Sequence, residues 1–300
     1  MATNPNRVKD RLAIGLMAPT WIVLGGLFLL PLAILIGVSF HPPDDAGNPQ
    51  PVDHWGSYIQ SGDWAANYVT SAHPVYVRVA IRSLWLAVAT TVLCLLIGYP
   101  VAFYIALAAP ANRKNPLLAL AVIPFWTSFL IRISAWRLIL QDDGALNTLL
   151  IWLHLIDSPL KLMDTPLAVM IGLVYGELPF MILPLYASLE KLDRTLLEAS
   201  ADLGASGSAT FRRVTFPLSM PGVIAGCVLV FIPGIGQFIV SDLLGGSRSM
   251  LIGNLIQNQF TSGRDKPLGA AVALELTVAV LAMLITYAIW AKRTGAEAAL

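Results

Sequence analysis

The sequence predicts an all-α polytopic membrane bundle of six transmembrane helices. Three observations predict it. First, only 12% of the 300 residues are charged, 56% are apolar and the mean hydropathy is +0.70. A soluble domain carries about a quarter charged residues. Second, six apolar runs reach the ~20 helical residues that a hydrocarbon core of about 30 Å requires. They are 12–40, 78–108, 116–140, 166–189, 219–242 and 270–291. Third, Lys and Arg sort by loop. With the N-terminus in the cytoplasm, Arg7, Lys9, Arg11, Arg113, Lys114, Lys191, Arg194, Arg212, Arg213, Lys292 and Arg293 lie inside. Only Lys161, Arg248, Arg264 and Lys266 lie outside, with Arg78 and Arg82 at a membrane edge. An even number of crossings returns the C-terminus to the cytoplasm.

The first run, Leu12 to Phe40, far exceeds the ~7–15 residues of a signal-peptide core, so it reads as a retained helix. Segment 41–77 holds Asp44, Asp45, Asp53 and Asp63 and is rich in Pro and Gly, which favours turns over a packed core. The third run carries Arg132 and Arg137 with Trp126 and Trp136. After it, LLIWLHLI (149–156) is too short to span and suits a helix lying at the interface. The fourth run places Glu177 near Tyr175 and Phe180. In the fifth, Pro233, Gly234 and Gly236 are expected to open the helical ladder, and Asp242 ends the run. The sixth contains Glu275. Cys94 and Cys227 sit in apolar runs without metal-ligand spacing, which suits core packing. His41, His54, His73 and His154 are scattered, as loop or interfacial residues are. No internal repeat appears, and one domain, 1–300, is expected.

The inner segment 190–222 is too long and too patterned for a simple turn. Leu192, Leu196, Ala199 and Leu203 recur at helical spacing on one face. Gly204 follows, where a helix end favours a left-handed residue. Ser206 or Ser208 is suited to cap a second short helix that carries Phe211, Arg212 and Arg213. Pro217 and Pro221 then interrupt the chain. Two short helices bent at a glycine can dock on another protein or lie on the membrane surface. The pattern alone leaves both readings open.

Glu198-Ala199-Ser200, three residues, Gly204, nine residues, then Val214-x-Phe216-Pro217 resembles the EAA signature of ABC importer permeases. That signature has Ala, Ile and Leu where Ser200, Val214 and Phe216 stand here. PFWTSFLIRISAW (124–136), LPFMILPLY (178–186) and VSDLLGG (240–246) are similar to the first of the two permeases of spermidine/putrescine importers, and the likeness runs from about residue 80 onward. The resemblance implies an ABC type I importer permease fold. It makes 190–218 a coupling loop seated on an ATPase, with Glu198, Ala199, Ser200, Asp202, Gly204, Arg212 and Pro217 on the docking element. It further implies two ATPase copies, a second homologous permease and an external substrate-binding protein, in the inner membrane of a bacterium.

The chain lacks a G-x-x-x-x-G-K-[ST] loop, H-E-x-x-H and G-x-S-x-G, so it is expected to catalyse nothing and to hold no cofactor or metal. ATP and Mg²⁺ belong to the partner ATPase, and no nucleic-acid partner is expected. Ionisable residues at membrane depth are costly and mark pathways or partners. A polyamine needs carboxylates for its ammonium groups and aromatic faces for the stretches between. Asp242, Glu177, Tyr175, Trp136, Gln237 and Glu275 are the candidates for that path. Arg132 and Arg137 can instead pair with these carboxylates, or suit an anionic cargo such as an opine or organic acid. An ATPase-independent secondary transporter is the rival of another class.

Overall fold

The computed structural model describes residues 5–246, 249–263 and 265–293. Arg248 and Arg264, two of the outer basic residues, lie outside them. The described residues are helical, apart from an isolated bridge pairing Pro43 with Pro49. Contacts sort the chain into two units. One runs from the N-terminus to His73 and includes Asn258–Ala279; the other holds Pro74–Gln257 and the residues from Val280 onward.

In the first unit, α1 (Pro5–Ser39) continues through Pro19 and Pro31, and its apolar side chains from Trp21 to Ile36 are mostly exposed. Such a face requires lipid or another protein around it. Segment 41–77 is more ordered than its composition suggests. It forms a turn closed by Asp44, then α2 (Trp55–Ser61) and α3 (Ala66–Ser71). Buried Asn67 gives this segment its anchor: its amide donates to the carbonyls of Ser39 and His41, both at 2.9 Å. A buried amide in that position secures backbone groups at the end of α1.

The second unit is built on α4 (Pro74–Phe103), which leads through a π turn at Tyr104–Ala108 to α5 (Ala111–Val122). The predicted span 116–140 is not one helix. A tight turn at Ile123–Trp126 and an extended Thr127 separate α5 from α6 (Phe129–Leu140). The bend across this break is 91°. Pro124 removes an N–H, and Thr127 folds back to donate its hydroxyl to the Pro124 carbonyl at 2.7 Å. α7 (Ala145–Trp152) covers the first half of LLIWLHLI. α8 (Pro166–Glu190) lies at the centre of the core, with Leu173, Met181, Leu185 and Leu189 fully buried.

Past α8 come three short pieces: α9 (Arg194–Asp202), α10 (Gly207–Thr210) and α11 (Phe216–Leu218). α12 (Met220–Gly236) follows at a bend of 63°. Here the opening falls at the end of the predicted stretch 233–236. The helix passes Pro233 and Gly234 intact and breaks at Gln237, which is extended, before α13 (Ile239–Leu244). α14 (Ile252–Thr261) and α15 (Lys266–Arg293) complete the chain. Among the described residues, four helices are long and apolar enough to cross a membrane alone, and two bent pairs raise the number to six.

Packing among α4, α8 and α12 depends on small residues. A Cβ on Gly226 would stand 2.7 Å from Met181 Sδ, and one on Gly222 would stand 2.5 Å from Ser188 Cβ. Gly98 faces the same methionine from α4. Lipid gives helices no hydrophobic drive to associate, so close approach through Gly222-x-x-x-Gly226 supplies dispersion contacts instead.

Candidate coupling element and transport pathway

The 190–218 segment folds as two short helices around Gly204. The Asp193 carboxylate caps α9 by accepting from the Thr195 N–H at 2.9 Å. That bond holds its carboxyl below the usual carboxylate range. The far end closes with two bonds, from Ala205 N–H to the Ser200 carbonyl and from Gly204 N–H to that of Ala201. They satisfy orphan carbonyls and require the left-handed φ of +74° that Gly204 adopts. Ser206 caps α10 by accepting from Ala209 N–H. A hydroxyl pair, Ser200 to Thr210 at 2.8 Å, joins the two helices across the bend. Ser200, a departure from the signature, thus fixes the angle between them.

The two sides of this element differ. Leu203 is 88% exposed, Leu196 46%, and Ala199, Glu198 and Asp202 are exposed beside them. Leu192 alone of the predicted apolar stripe is buried. Arg212 and Pro217 are exposed as well. On the other side, Phe211 and Phe216 reach into the bundle. Phe211 meets Tyr99 edge-on with ring centroids 5.6 Å apart, and Phe216 lies 5.9 Å from both Tyr99 and Phe211. The Tyr99 hydroxyl is 2.8 Å from Ser219 Oγ. The element presents an apolar face outward and is pinned to α4 by aromatic packing, so a displacement of it must carry α4 along.

The pathway candidates divide into groups. Asp242 opens into a cavity of about 510 Å³ that Arg137, Gln141, Asp142, Asp143, Lys161 and Asp164 also line. Four carboxylates face two cations there. Glu177 is apart from it, buried to 4% exposure, with Oε2 lacking a hydrogen-bond partner. Arg132 lies on α6, its guanidinium over the Phe125 ring. Tyr175 and Trp136 pack edge to face at 5.5 Å. Gln237 sits at the helix break, where Asn254 donates to the Phe238 carbonyl at 3.0 Å and Gly253 lets α14 approach Gly236. In the other unit, Glu275 accepts from Ser71 Oγ at 2.6 Å.

Sequence reasoning missed several residues. Asp142, Asp143 and Asp164 join Asp242 only through tertiary folding, and no local signal marked them. Gly222 and Gly226 did carry a legible signal, their four-residue spacing. The Tyr99 contact with Phe211 had none.

α8 is about 36 Å long at 1.5 Å per residue. The acidic cavity adjoins its start and the bent element follows its end. A helical membrane bundle with such an element at one end suits the membrane subunit of a transporter driven by a separate ATPase. The chain belongs to the family of binding-protein-dependent transport system inner membrane components, which it matches over residues 14–295.

The chain is 46% identical over 267 residues to the spermidine/putrescine transport system permease protein PotB of Escherichia coli (strain K12), covering 89% of this chain and 92% of that protein. It is 42% identical to the PotB of Haemophilus influenzae, over 89% of each. Among solved structures, the crystal structure of a bacterial ABC transporter involved in import of the acidic polysaccharide alginate aligns at a TM-score of 0.67 with 17% identity, over 96% of this chain and 97% of that one. That last likeness concerns the fold. The chain is a multi-pass inner-membrane permease and not the ATPase, and its family works with a binding protein and an ATPase.

Proposed function

We propose that this permease carries a polyamine such as spermidine or putrescine. The observation that carries the reading is 46% identity with a spermidine/putrescine permease across nine-tenths of both chains. Cavity chemistry supports it, because four carboxylates, Asp242 among them, outnumber two cations there and favour a cation. The whole chain, 1–300, serves as one permease domain. It pairs with a second homologous permease, two ATPase copies and an extracytoplasmic binding protein, with both of its termini in the cytoplasm.

The mechanism is alternating access. ATP binding closes the ATPase dimer and draws on the exposed face of α9, where Glu198, Ala199, Asp202 and Gly204 lie, with Ser200, Arg212 and Pro217 shaping the same element. Phe211 and Phe216 pass the motion to α4. Cargo released by the binding protein meets Asp242 and the carboxylates beside it, then Glu177, Tyr175, Trp136 and Gln237. Glu275, bonded to Ser71, faces the mate.

The test is ATPase stimulation in the reconstituted complex with loaded binding protein. Spermidine or putrescine stimulates turnover, and Asp242→Asn raises the concentration needed several-fold while assembly is retained. Stimulation by an opine or organic acid in place of polyamine would replace the cargo. An unchanged concentration dependence in Asp242→Asn would remove that residue from the path.

A further inference from the structure

Arg132 and Glu177 are both candidates for a simple ion pair that braces the bundle. The geometry is otherwise. The Arg132 guanidinium lies over the Phe125 ring at 4.5 Å from its centroid and near the Phe129 ring at 5.7 Å. Its Nε and Nη1 are buried and have no hydrogen-bond partner, and neither does Glu177 Oε2. A guanidinium built to brace a carboxylate turns its fork of donors toward it. This one lies over two aromatic rings and leaves two donors, and the carboxylate oxygen, unmatched.

The surroundings are also those of a cation site. Phe125 is packed edge-on against Phe180 of α8 at 5.1 Å, which fixes one aromatic wall. Gly176, next to Glu177, allows the second wall: a Cβ there would stand 3.1 Å from the Phe129 ring. Rings with a buried carboxylate beside them are what an alkylammonium group seeks. Here the chain's own cation occupies the rings.

We infer that Arg132 is a tethered stand-in for cargo: its guanidinium holds the Phe125 and Phe129 faces beside Glu177 between transport cycles, and an incoming ammonium group displaces it. This rests on the polyamine reading above and adds a specificity-determining residue to it. The exchange is cation for cation, so the buried carboxylate keeps a positive charge near it throughout. The unmatched donors explain why displacement is feasible, since few bonds hold the guanidinium in place. An anionic or neutral solute has no such exchange available, and Arg132 thereby selects against it.

The experiment uses the full complex of both permeases, ATPase and binding protein in proteoliposomes, with spermidine as the probe. Removing the tethered competitor in Arg132→Gln or Arg132→Met lowers the spermidine concentration for half-maximal ATPase stimulation by about three-fold or more, the scale of one cation–π contact. Arg132→Lys, which keeps a tethered cation, stays near the wild-type value, and Glu177→Gln raises it. An unchanged half-maximal concentration in both neutral variants overturns the inference and leaves the polyamine reading standing. Failure of both neutral variants to assemble makes Arg132 a structural cation and overturns it as well. Absence of spermidine stimulation in the wild-type complex defeats the polyamine reading and the inference together.

Discussion

Asp193 governs the first turn of the coupling element, and its behaviour with pH follows from one bond. The Thr195 N–H stabilises the carboxylate and so depresses its folded value below the ordinary 3.8. A depressed acid contributes stability that is fully present above the unfolded value and disappears as pH falls through the folded one. The protection factors of the α9 amides, which divide out the intrinsic pH dependence of exchange, are therefore expected to be flat from pH 8 to about 5 and to fall only as pH drops through the carboxylate range. Asp193→Asn keeps an acceptor at the cap and removes this acid limb. Asp193→Ala frays α9 at every pH. Equal exchange in Asp193→Ala and the native protein would contradict the role of the cap. Glu198, exposed on the same helix, is the residue proposed to face the ATPase. Glu198→Lys is expected to lower co-purification of the ATPase and abolish uptake while the bundle folds; normal uptake would exclude it from docking.

Among elements, the α8–α12 contact is sensitive to a single methyl group. Gly226 leaves no room beside Met181, so Gly226→Val must shift one helix or force Met181 off its rotamer. Overpacking of this kind costs about 1–3 kcal/mol. A lowered Tm in detergent, recovered in part by Gly226→Val with Met181→Ala, is the expected result. Element boundaries were legible where caps and breakers sit in sequence. Gly204 and Ser206 ended one short helix and began the next, as their chemistry demands. The third span was read as one helix because apolar composition hides a break. Pro124 was visible, but the extended Thr127 and the 91° bend depend on how α6 packs against α8. Of Pro233, Gly234 and Gly236, expected together to open α12, only Gly236 stands at the break, since a proline in a packed helix costs one hydrogen bond and need not end it.

At the scale of the molecule, two exposed apolar faces among the described residues bear on what surrounds the chain. The outward side of α1 is apolar over more than four turns, and that of α9 carries Leu196 and Leu203 into solvent. The first suits lipid or the mate permease; the second lies beyond the apolar spans and suits a protein. What was legible in the sequence was the bundle, the loop spacing and the absence of nucleotide motifs. The acidic cavity was not, because Asp142, Asp164 and Asp242 come from three separate segments. The aromatic pin of Phe211 on Tyr99 was hidden for the same reason. That pin has its own consequence. Phe211→Ala removes the ring that couples α9 to α4, so the assembled complex is expected to hydrolyse ATP with little cargo movement. Tight coupling in that variant would show that force travels by another route.

The central claim is that a separate ATPase drives this bundle through the exposed face of α9. Its most direct measurement is accumulation of labelled spermidine in proteoliposomes holding the full complex, compared with the permeases and binding protein alone and with Leu203→Glu in the full complex. The account predicts ATP-dependent accumulation in the first case only. Accumulation without the ATPase, or at the native rate in Leu203→Glu, would contradict it.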